Sequence, residues 1–170
     1  MQGAEMRRQT GFSLMELMIV IALIVIVLAM AIPSMREAKI HANEASAVQS
    51  IRAINQAEMQ YQAAYGGYAD SLANLGGAEP CTKSAATACL LDQSLAGGVK
   101  SGYSFATIGT GPANEPNTTY VVGAAPTDFD RTGKRLFCST DRNVIRADPN
   151  STGSTIPPDA EQCMRFRALQ

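Results

Sequence analysis

The feature that most constrains this chain is a long apolar run that follows a short basic segment and contains one acidic residue. The run covers residues 12–32, and Glu16 is its only charged side chain. As an α-helix rising ~1.5 Å per residue, it would extend about 31 Å, enough to cross the apolar core of a bilayer. A carboxylate inside such a segment costs ~2.5 kcal/mol or more at the membrane centre, and less near its edge. Glu16 is therefore a functional candidate whose expected partner is a cation at the same depth, and the alternative is a generic signal-anchor with an incidental acid.

Charges on either side of the run predict its orientation. Arg7 and Arg8 precede it, and no comparable cluster follows it at once. Positive charge is retained on the cytoplasmic side, so the rest of the chain is expected to face outward. A secretory signal peptide would have a shorter apolar region and a cleavage site after it. A cut between Gly11 and Phe12 would instead leave the apolar helix on the mature chain and create an α-amino group near Glu16.

The segment Gly11-Phe12-Ser13-Leu14-Met15-Glu16, together with the apolar run, resembles the processing signal of type IV prepilins. Pseudopilins of type II secretion share that signal. The resemblance implies that a prepilin peptidase cuts after Gly11 and methylates the new amine of Phe12. It also implies that Glu16 is required for methylation or assembly, and pairs with the Phe12 amine of a neighbouring subunit. Residues 1–11 would then be a removed leader, and residues 12–33 a transmembrane helix that becomes the filament core.

Pro33 directly follows the apolar run. A proline removes one helical hydrogen bond, which predicts a kink or a local opening of the helix, with a plain helix boundary as the alternative. The resemblance to pilins implies that the helix melts at Pro33 when subunits pack in the filament. We therefore count Pro33 as an assembly residue.

Residues 34–65 are expected to form a second, amphipathic half of the helix. They are rich in Ala, Glu and Gln and contain neither Gly nor Pro, which favours helix. Residues at roughly helical intervals predict one apolar stripe that faces a globular domain. That predicted stripe consists of Ala38, Ala45, Val48, Ile51, Ile54, Tyr61 and Tyr65. Gly66 and Gly67 are expected to end the helix.

Residues 66–170 are expected to form a globular domain. Alternating and β-branched residues predict four strands, at residues 103–108, 120–124, 135–139 and 144–146. A short helix is expected near residues 90–95, and residues 148–170 read as loop-like. Four antiparallel strands packed on the long helix define an α+β fold, which resembles the type IV pilin fold. Residues 42–77 are similar to major pilins of delta-proteobacteria and acidobacteria, which favours a major pilus subunit.

All four cysteines lie in the expected outward-facing domain, where an even number favours disulfides. Four cysteines allow three pairings, and we favour the two that close local loops, Cys81–Cys89 and Cys138–Cys163. Zinc is the competing interpretation, but no pair has the short spacing of a typical zinc site. A Cys138–Cys163 bond would resemble the disulfide-bounded C-terminal loop of many type IV pilins.

Asp128 and Asp130 precede Gly133 and are a weak calcium candidate, because alternating acids before a glycine resemble part of a calcium loop. The distal glutamate of such a loop is missing from the pattern, and Asp and Gly are common turn residues, so a turn is favoured. We expect no cofactor and no resident metal. Charge is nearly balanced, with 14 Lys+Arg against 15 Asp+Glu, so the composition gives no overall argument for nucleic-acid binding.

Three classes of function fit the sequence. The first is a structural pilus subunit that serves adhesion, twitching motility or DNA uptake. It would be a single-pass inner-membrane protein with a periplasmic C-terminus, and later part of an extracellular homopolymer. Its expected partners are identical subunits, the peptidase, the assembly machinery, and surfaces or DNA. The second is a type II secretion pseudopilin or a minor pilin, and the third a membrane-anchored periplasmic binding module. An enzyme is not expected, because one His and four disulfide-forming cysteines leave little for a catalytic constellation.

Overall fold

The structure is a computed structural model that describes residues 12–78 and 80–169, with the backbone alone at residues 30–34. The chain divides after Glu37 into two compact units. Helix α1, Leu14–Tyr65, supplies all of the described part of the first unit except Phe12 and Ser13, and the opening element of the second. It ends where predicted, because Gly66 has a φ of +84° and donates its backbone N–H to the carbonyl of Gln62.

The second unit combines the carboxyl-terminal part of α1 with an antiparallel sheet and three short helices. Its helices are α2 (Leu72–Leu75), α3 (Gln93–Ala96) and α4 (Ala160–Arg165). Its strands are β1 (Val99–Lys100), β2 (Tyr103–Thr110), β3 (Thr119–Pro126), β4 (Leu136–Thr140), β5 (Arg146–Asp148) and β6 (Arg167–Ala168). Each strand pairs with the next, so the sheet is a simple meander in chain order. The predicted α+β fold with a long amino-terminal helix is confirmed.

The predicted number of four strands is wrong, since the described chain forms six. Strands β1 and β6 contain two residues each, too few to show an alternating pattern. The fourth predicted strand, at 144–146, lies at Arg146–Asp148. The expected loop at 148–170 contains both α4 and β6, and α4 begins with a reciprocal cap between Asp159 and Gln162. The short helix expected near 90–95 lies at Gln93–Ala96.

The core lies between α1 and one face of the sheet. Ile51 and Ile54 are fully buried on the helix, and Tyr103, Val122 and Phe137 are fully buried on the strands. The predicted stripe is partly wrong, because Ala38, Ala45 and Tyr65 are exposed. The buried face instead follows residues 40, 44, 47, 51, 54, 58 and 61. Two of these positions are glutamates, which is why apolar residues alone gave the wrong stripe.

The other face of the sheet is partly covered by the carboxyl-terminal segment. Val121 and Cys138 pack there against Cys163, with Phe166 beside them. Gly123 allows Pro158 to approach the strand, because a Cβ at residue 123 would lie 2.9 Å from the Pro158 ring nitrogen. The segment after β5 is therefore part of the folded domain.

Candidate functional site

Helix α1 begins with a serine cap. The Ser13 hydroxyl accepts the Met15 backbone N–H at 3.3 Å, and the Ser13 carbonyl accepts the Leu17 N–H at 3.2 Å. Glu16 follows in the first turn with its side chain exposed, where the helix dipole favours a negative charge. Phe12 precedes the cap and is 81% exposed. Phe12 and Glu16 thus lie at the same end of the helix.

The first part of α1 exposes apolar side chains on every side. Even Val20, the least exposed of the large ones, has 44% of its surface free. A helix that is apolar all round is stable when buried in protein or membrane, not when it stands in water. The exposed set is Phe12, Leu14, Met15, Leu17, Met18, Ile19, Val20, Ile21, Leu23, Ile24, Val25, Ile26, Val27 and Leu28. This segment therefore requires apolar surroundings that the monomer does not supply.

Two predicted positions are described in part or not at all. Gly11, with the rest of the leader at 1–11, lies outside the described residues. The backbone is helical at Pro33, whose side chain is likewise outside the description, so its role in assembly stays a prediction.

Within the part of the chain that the structure describes, no helix is both long enough and apolar enough to span a membrane.

An ion pair between a buried glutamate and a partly exposed arginine fixes α1 to the residue before β4. Glu44 is 3% exposed, and its Oε2 accepts Nε of Arg135 at 2.8 Å and pairs with a terminal guanidinium nitrogen at 2.8 Å. Its Oε1 accepts the backbone N–H groups of Lys134 and Arg135, at 3.0 and 3.2 Å. The Arg135 guanidinium also lies over the Phe137 ring, 5.1 Å from its centroid. Two guanidinium nitrogens and two backbone N–H groups therefore provide hydrogen-bond or ion-pair partners for both oxygens of this buried carboxylate.

Glu58 is buried in a different environment. It is fully inaccessible, and its Oε2 accepts the Ala69 backbone N–H at 2.9 Å. The Thr107 hydroxyl lies 3.2 Å from Glu58 Oε1 and 3.1 Å from the Val121 carbonyl, although one hydroxyl hydrogen can serve only one of them. Burial raises the Glu58 pKa to about 7, and the hydrogen bonds from Ala69 and Thr107 oppose that rise. A protonated Glu58 could donate to Thr107 and leave Thr107 free to donate to Val121, so the geometry favours the neutral acid.

A further buried polar chain connects α1 to β3 and β4. Asn55 donates its amide to the Ser139 hydroxyl at 2.9 Å and accepts the Tyr120 hydroxyl at 3.0 Å. Among the described residues, every buried side-chain nitrogen or oxygen has a hydrogen-bond partner. These contacts orient the helix on the sheet. The pattern of apolar residues in the sequence did not predict these contacts, because they are made by polar side chains.

Both favoured cysteine pairs are bonded in the structure. The Cα atoms of Cys81 and Cys89 are 6.1 Å apart, and those of Cys138 and Cys163 are 5.7 Å apart. Gly77 packs directly on the first disulfide, where a Cβ would collide with the Cys81 sulfur. The second disulfide is fully buried and joins β4 to α4. It therefore attaches the carboxyl-terminal segment to the sheet.

The Asp128–Asp130 segment forms a tight turn. The Asp128 carbonyl accepts the Thr132 backbone N–H at 2.9 Å, and Asp130 has a φ of +60°. Arg131 lies 3.5 Å from the Asp128 carboxylate, and Lys134 lies 3.5 Å from Asp130. Within the described residues, no group of three His, Cys, Asp or Glu side chains could hold a metal ion. The geometry is that of a turn whose carboxylates face cations of the chain.

The comparison with known families identifies the amino-terminal segment. The prokaryotic N-terminal methylation motif matches residues 6–32, a range that includes Gly11, Phe12 and Glu16. The predicted type IV pilin-like prepilin signal is thereby confirmed. The match supports a place among type IV pilins or pseudopilins, and it implies processing by prepilin peptidase. No curated protein and no solved structure matches the chain.

Proposed function

We propose that this chain is a structural subunit of a type IV pilus, cleaved between Gly11 and Phe12 and N-methylated at Phe12. The mature chain would be held in the inner membrane by residues 12–33 and then polymerise into a helical filament outside the cell. In the filament the apolar part of α1 forms the centre. The sheet domain, residues 66–170, forms the exterior together with the amphipathic half of α1. Adhesion, twitching motility and DNA uptake are the roles open to such a filament.

The observation that carries this proposal is the exposed apolar surface from Phe12 to Leu28, located within the matched processing motif. The bilayer would cover this apolar surface before assembly, and identical neighbouring subunits would bury it afterwards. Copies related by a head-to-tail interface that does not close produce an open helical polymer. One surface can then account for both the anchored form and the filament.

Glu16 would set the axial register between neighbouring subunits. Its carboxylate lies in the first turn of α1, and cleavage would create the cationic amine of Phe12 at the same helix end. An unpaired carboxylate in apolar surroundings is penalised, so pairing with the amine of a neighbour is favoured over other axial offsets. The leader residues delay this pairing until the peptidase has cut.

A pseudopilin of type II secretion, or a minor pilin, is the second candidate. It has the same motif and the same amino-terminal helix chemistry. The resemblance of residues 42–77 to major pilins favours the pilus subunit over this alternative. A membrane-anchored periplasmic binding module is the third candidate, and it leaves the matched motif unexplained.

The proposal is tested by replacing Glu16 in the native host and collecting sheared extracellular filaments. Glu16→Val is expected to enter the membrane normally and to yield no filaments, because the buried charge pair is lost. Glu37→Val is the matched control, since it removes an exposed carboxylate from the same helix beyond the apolar run. Normal filaments from Glu16→Val would refute the assembly role. Loss of filaments in both variants would show that the effect is not specific to the buried pair.

A further inference from the structure

Two adjoining grooves follow the carboxyl-terminal segment of the sheet domain. The first has a volume of about 510 Å³ and is lined by Arg135, Arg165 and Arg167. The second has a volume of about 330 Å³, and its lining includes Thr152, Gln162 and Phe166. Arg165 and Asp148 line both, so the grooves form one extended depression. An extended depression is suited to a chain-like ligand that occupies both parts.

The positive charge of the depression comes mainly from Arg165 and Arg167. Arg135 is neutralised by Glu44, although that pair holds its guanidinium in a fixed place. Arg165 pairs with Glu161, but the two side chains are 74% and 79% exposed. Such a surface pair is weak, so Arg165 can exchange Glu161 for a ligand at little cost. Within the described part of the chain, Arg167 has no ion-pair partner.

One acid, Asp148, also lines the depression, so the three lining arginines are set against one lining carboxylate. Asp148 Oδ1 accepts the Asn150 backbone N–H at 2.7 Å, which ties this carboxylate to the turn that follows β5. The chain as a whole carries a formal net charge of −1, so a general positive field cannot attract anions to this surface. Binding of an anion would have to come from the local arginines.

The remaining lining groups distinguish between kinds of polyanion. Beside the arginines and Asp148, the first groove is lined by apolar side chains, and none of its described lining residues is aromatic. Phe166 lines the second groove but packs against Val121 and the Cys138–Cys163 disulfide. Single-stranded nucleic acids bind by stacking their bases on accessible aromatic side chains. The described lining of this depression presents few such side chains. The Thr152 hydroxyl and the side-chain N–H groups of Gln162 instead offer neutral hydrogen-bonding groups for hydroxyls, since Gln162 Oε1 already accepts the Asp159 N–H.

We propose that this depression binds an acidic polysaccharide. Arg165 and Arg167 take its sulfate or carboxylate groups, because the planar guanidinium matches oxyanions with two hydrogen bonds. Thr152 and Gln162 bind the sugar hydroxyls next to them. The interaction requires the folded carboxyl-terminal segment and does not require filament assembly.

The test measures binding of a fluorescein-labelled sulfated hexasaccharide to the full-length chain in nonionic detergent, by fluorescence anisotropy at fixed low ionic strength. Arg165→Gln/Arg167→Gln is expected to raise Kd about tenfold or more, since bonds to charged groups are lost. Thr152→Val is expected to weaken binding by a smaller factor and to leave its salt dependence unchanged. Circular dichroism of each variant checks that the domain is folded.

The matched control is Arg131→Gln/Arg142→Gln, which removes the same charge from exposed arginines away from the depression. It is expected to change Kd by less than about twofold. Equal weakening by both double variants would contradict a specific site, as would the lack of any binding by the unaltered chain. Tighter binding of single-stranded DNA of equal charge would overturn the assignment to a polysaccharide. Because unassembled protein is used, these results are independent of whether the chain forms pili.

Discussion

Glu44 on α1 and Arg135, just before β4, form a two-point ion pair, with two of the three guanidinium nitrogens each 2.8 Å from Glu44 Oε2. Because Glu44 also accepts two backbone N–H groups, it holds the β3–β4 connection against the helix. One side chain thus joins two segments that are far apart in the sequence. The pair is only partly buried, since the Arg135 side chain is 43% exposed.

Glu44→Ala is expected to lower the free energy of unfolding of the sheet domain by about 2–3 kcal/mol. The loss is below that of a fully buried pair, because Arg135 can still reach water. It is measured by urea unfolding of the full-length chain in detergent, followed by the near-UV circular dichroism of its tyrosines. Glu161→Gln removes an exposed pair and serves as the control, with no measurable change expected. Equal effects of the two variants would contradict the structural role of Glu44.

Glu58 is expected to make the stability of the domain depend on pH. Its pKa is raised from 4.5 to about 7 on folding, so the stabilisation is fully present below pH 4.5 and is lost as pH rises through about 7. The full loss is about 3 kcal/mol. Glu58→Gln imitates the neutral acid and keeps donor and acceptor groups for Thr107 and Ala69. Urea midpoints of the unaltered chain and of Glu58→Gln are measured from pH 4 to 8. The midpoint of the unaltered chain should fall relative to that of Glu58→Gln as pH rises from 4.5 through about 7. Parallel pH curves for the two proteins would exclude a neutral Glu58.

The two disulfides are expected to differ in their contribution to stability. The Cys138–Cys163 bond spans 25 residues and is buried, whereas the Cys81–Cys89 bond spans 8 and is half-buried. Loop entropy predicts losses of roughly 3.5 and 2.5 kcal/mol, and removal of the buried sulfurs adds to the first. Paired Cys→Ser variants at each site are compared by urea unfolding. Non-reducing peptide mapping of the unaltered chain checks the pairing, and a Cys81–Cys138 peptide would contradict it.

Processing is expected to depend on the size of the residue before the cleaved bond. Gly11→Ala should be cleaved in part, and Gly11→Leu should accumulate as the uncut chain, because the peptidase must accommodate that side chain. Immunoblotting of membrane fractions separates the two forms by the mass of the leader. Gly3→Leu is the control and should be cut normally. Cleavage of Gly11→Leu at the normal rate would argue against a peptidase of this kind.

Features encoded by neighbouring residues could be predicted from the sequence. The processing signal is contiguous, and β2, β3 and β4 are long enough to show strand character. Strands β1 and β6 could not be predicted, since two residues form a strand only when a neighbouring strand supplies the pairing.

The buried glutamates illustrate why part of the arrangement escaped prediction. Glu44 and Glu58 lie on the inner face of α1, where a carboxylate is stable only with specific partners. Those partners, Arg135 and Thr107, come from strands or connections distant in the sequence. The spacing of 40, 44, 47, 51, 54, 58 and 61 is helical, and it becomes visible once polar residues are allowed in the stripe.

The most direct test of the account is the intact mass and amino-terminal sequence of the main protein in sheared extracellular filaments from the native host. We predict a chain that starts at N-methylated Phe12 and lacks four hydrogens because of its two disulfides. The same processed chain found solely in the cell envelope would favour the pseudopilin or minor-pilin alternative. A chain that still carries the residues before Phe12 would contradict cleavage after Gly11 and, with it, the pilus-subunit proposal.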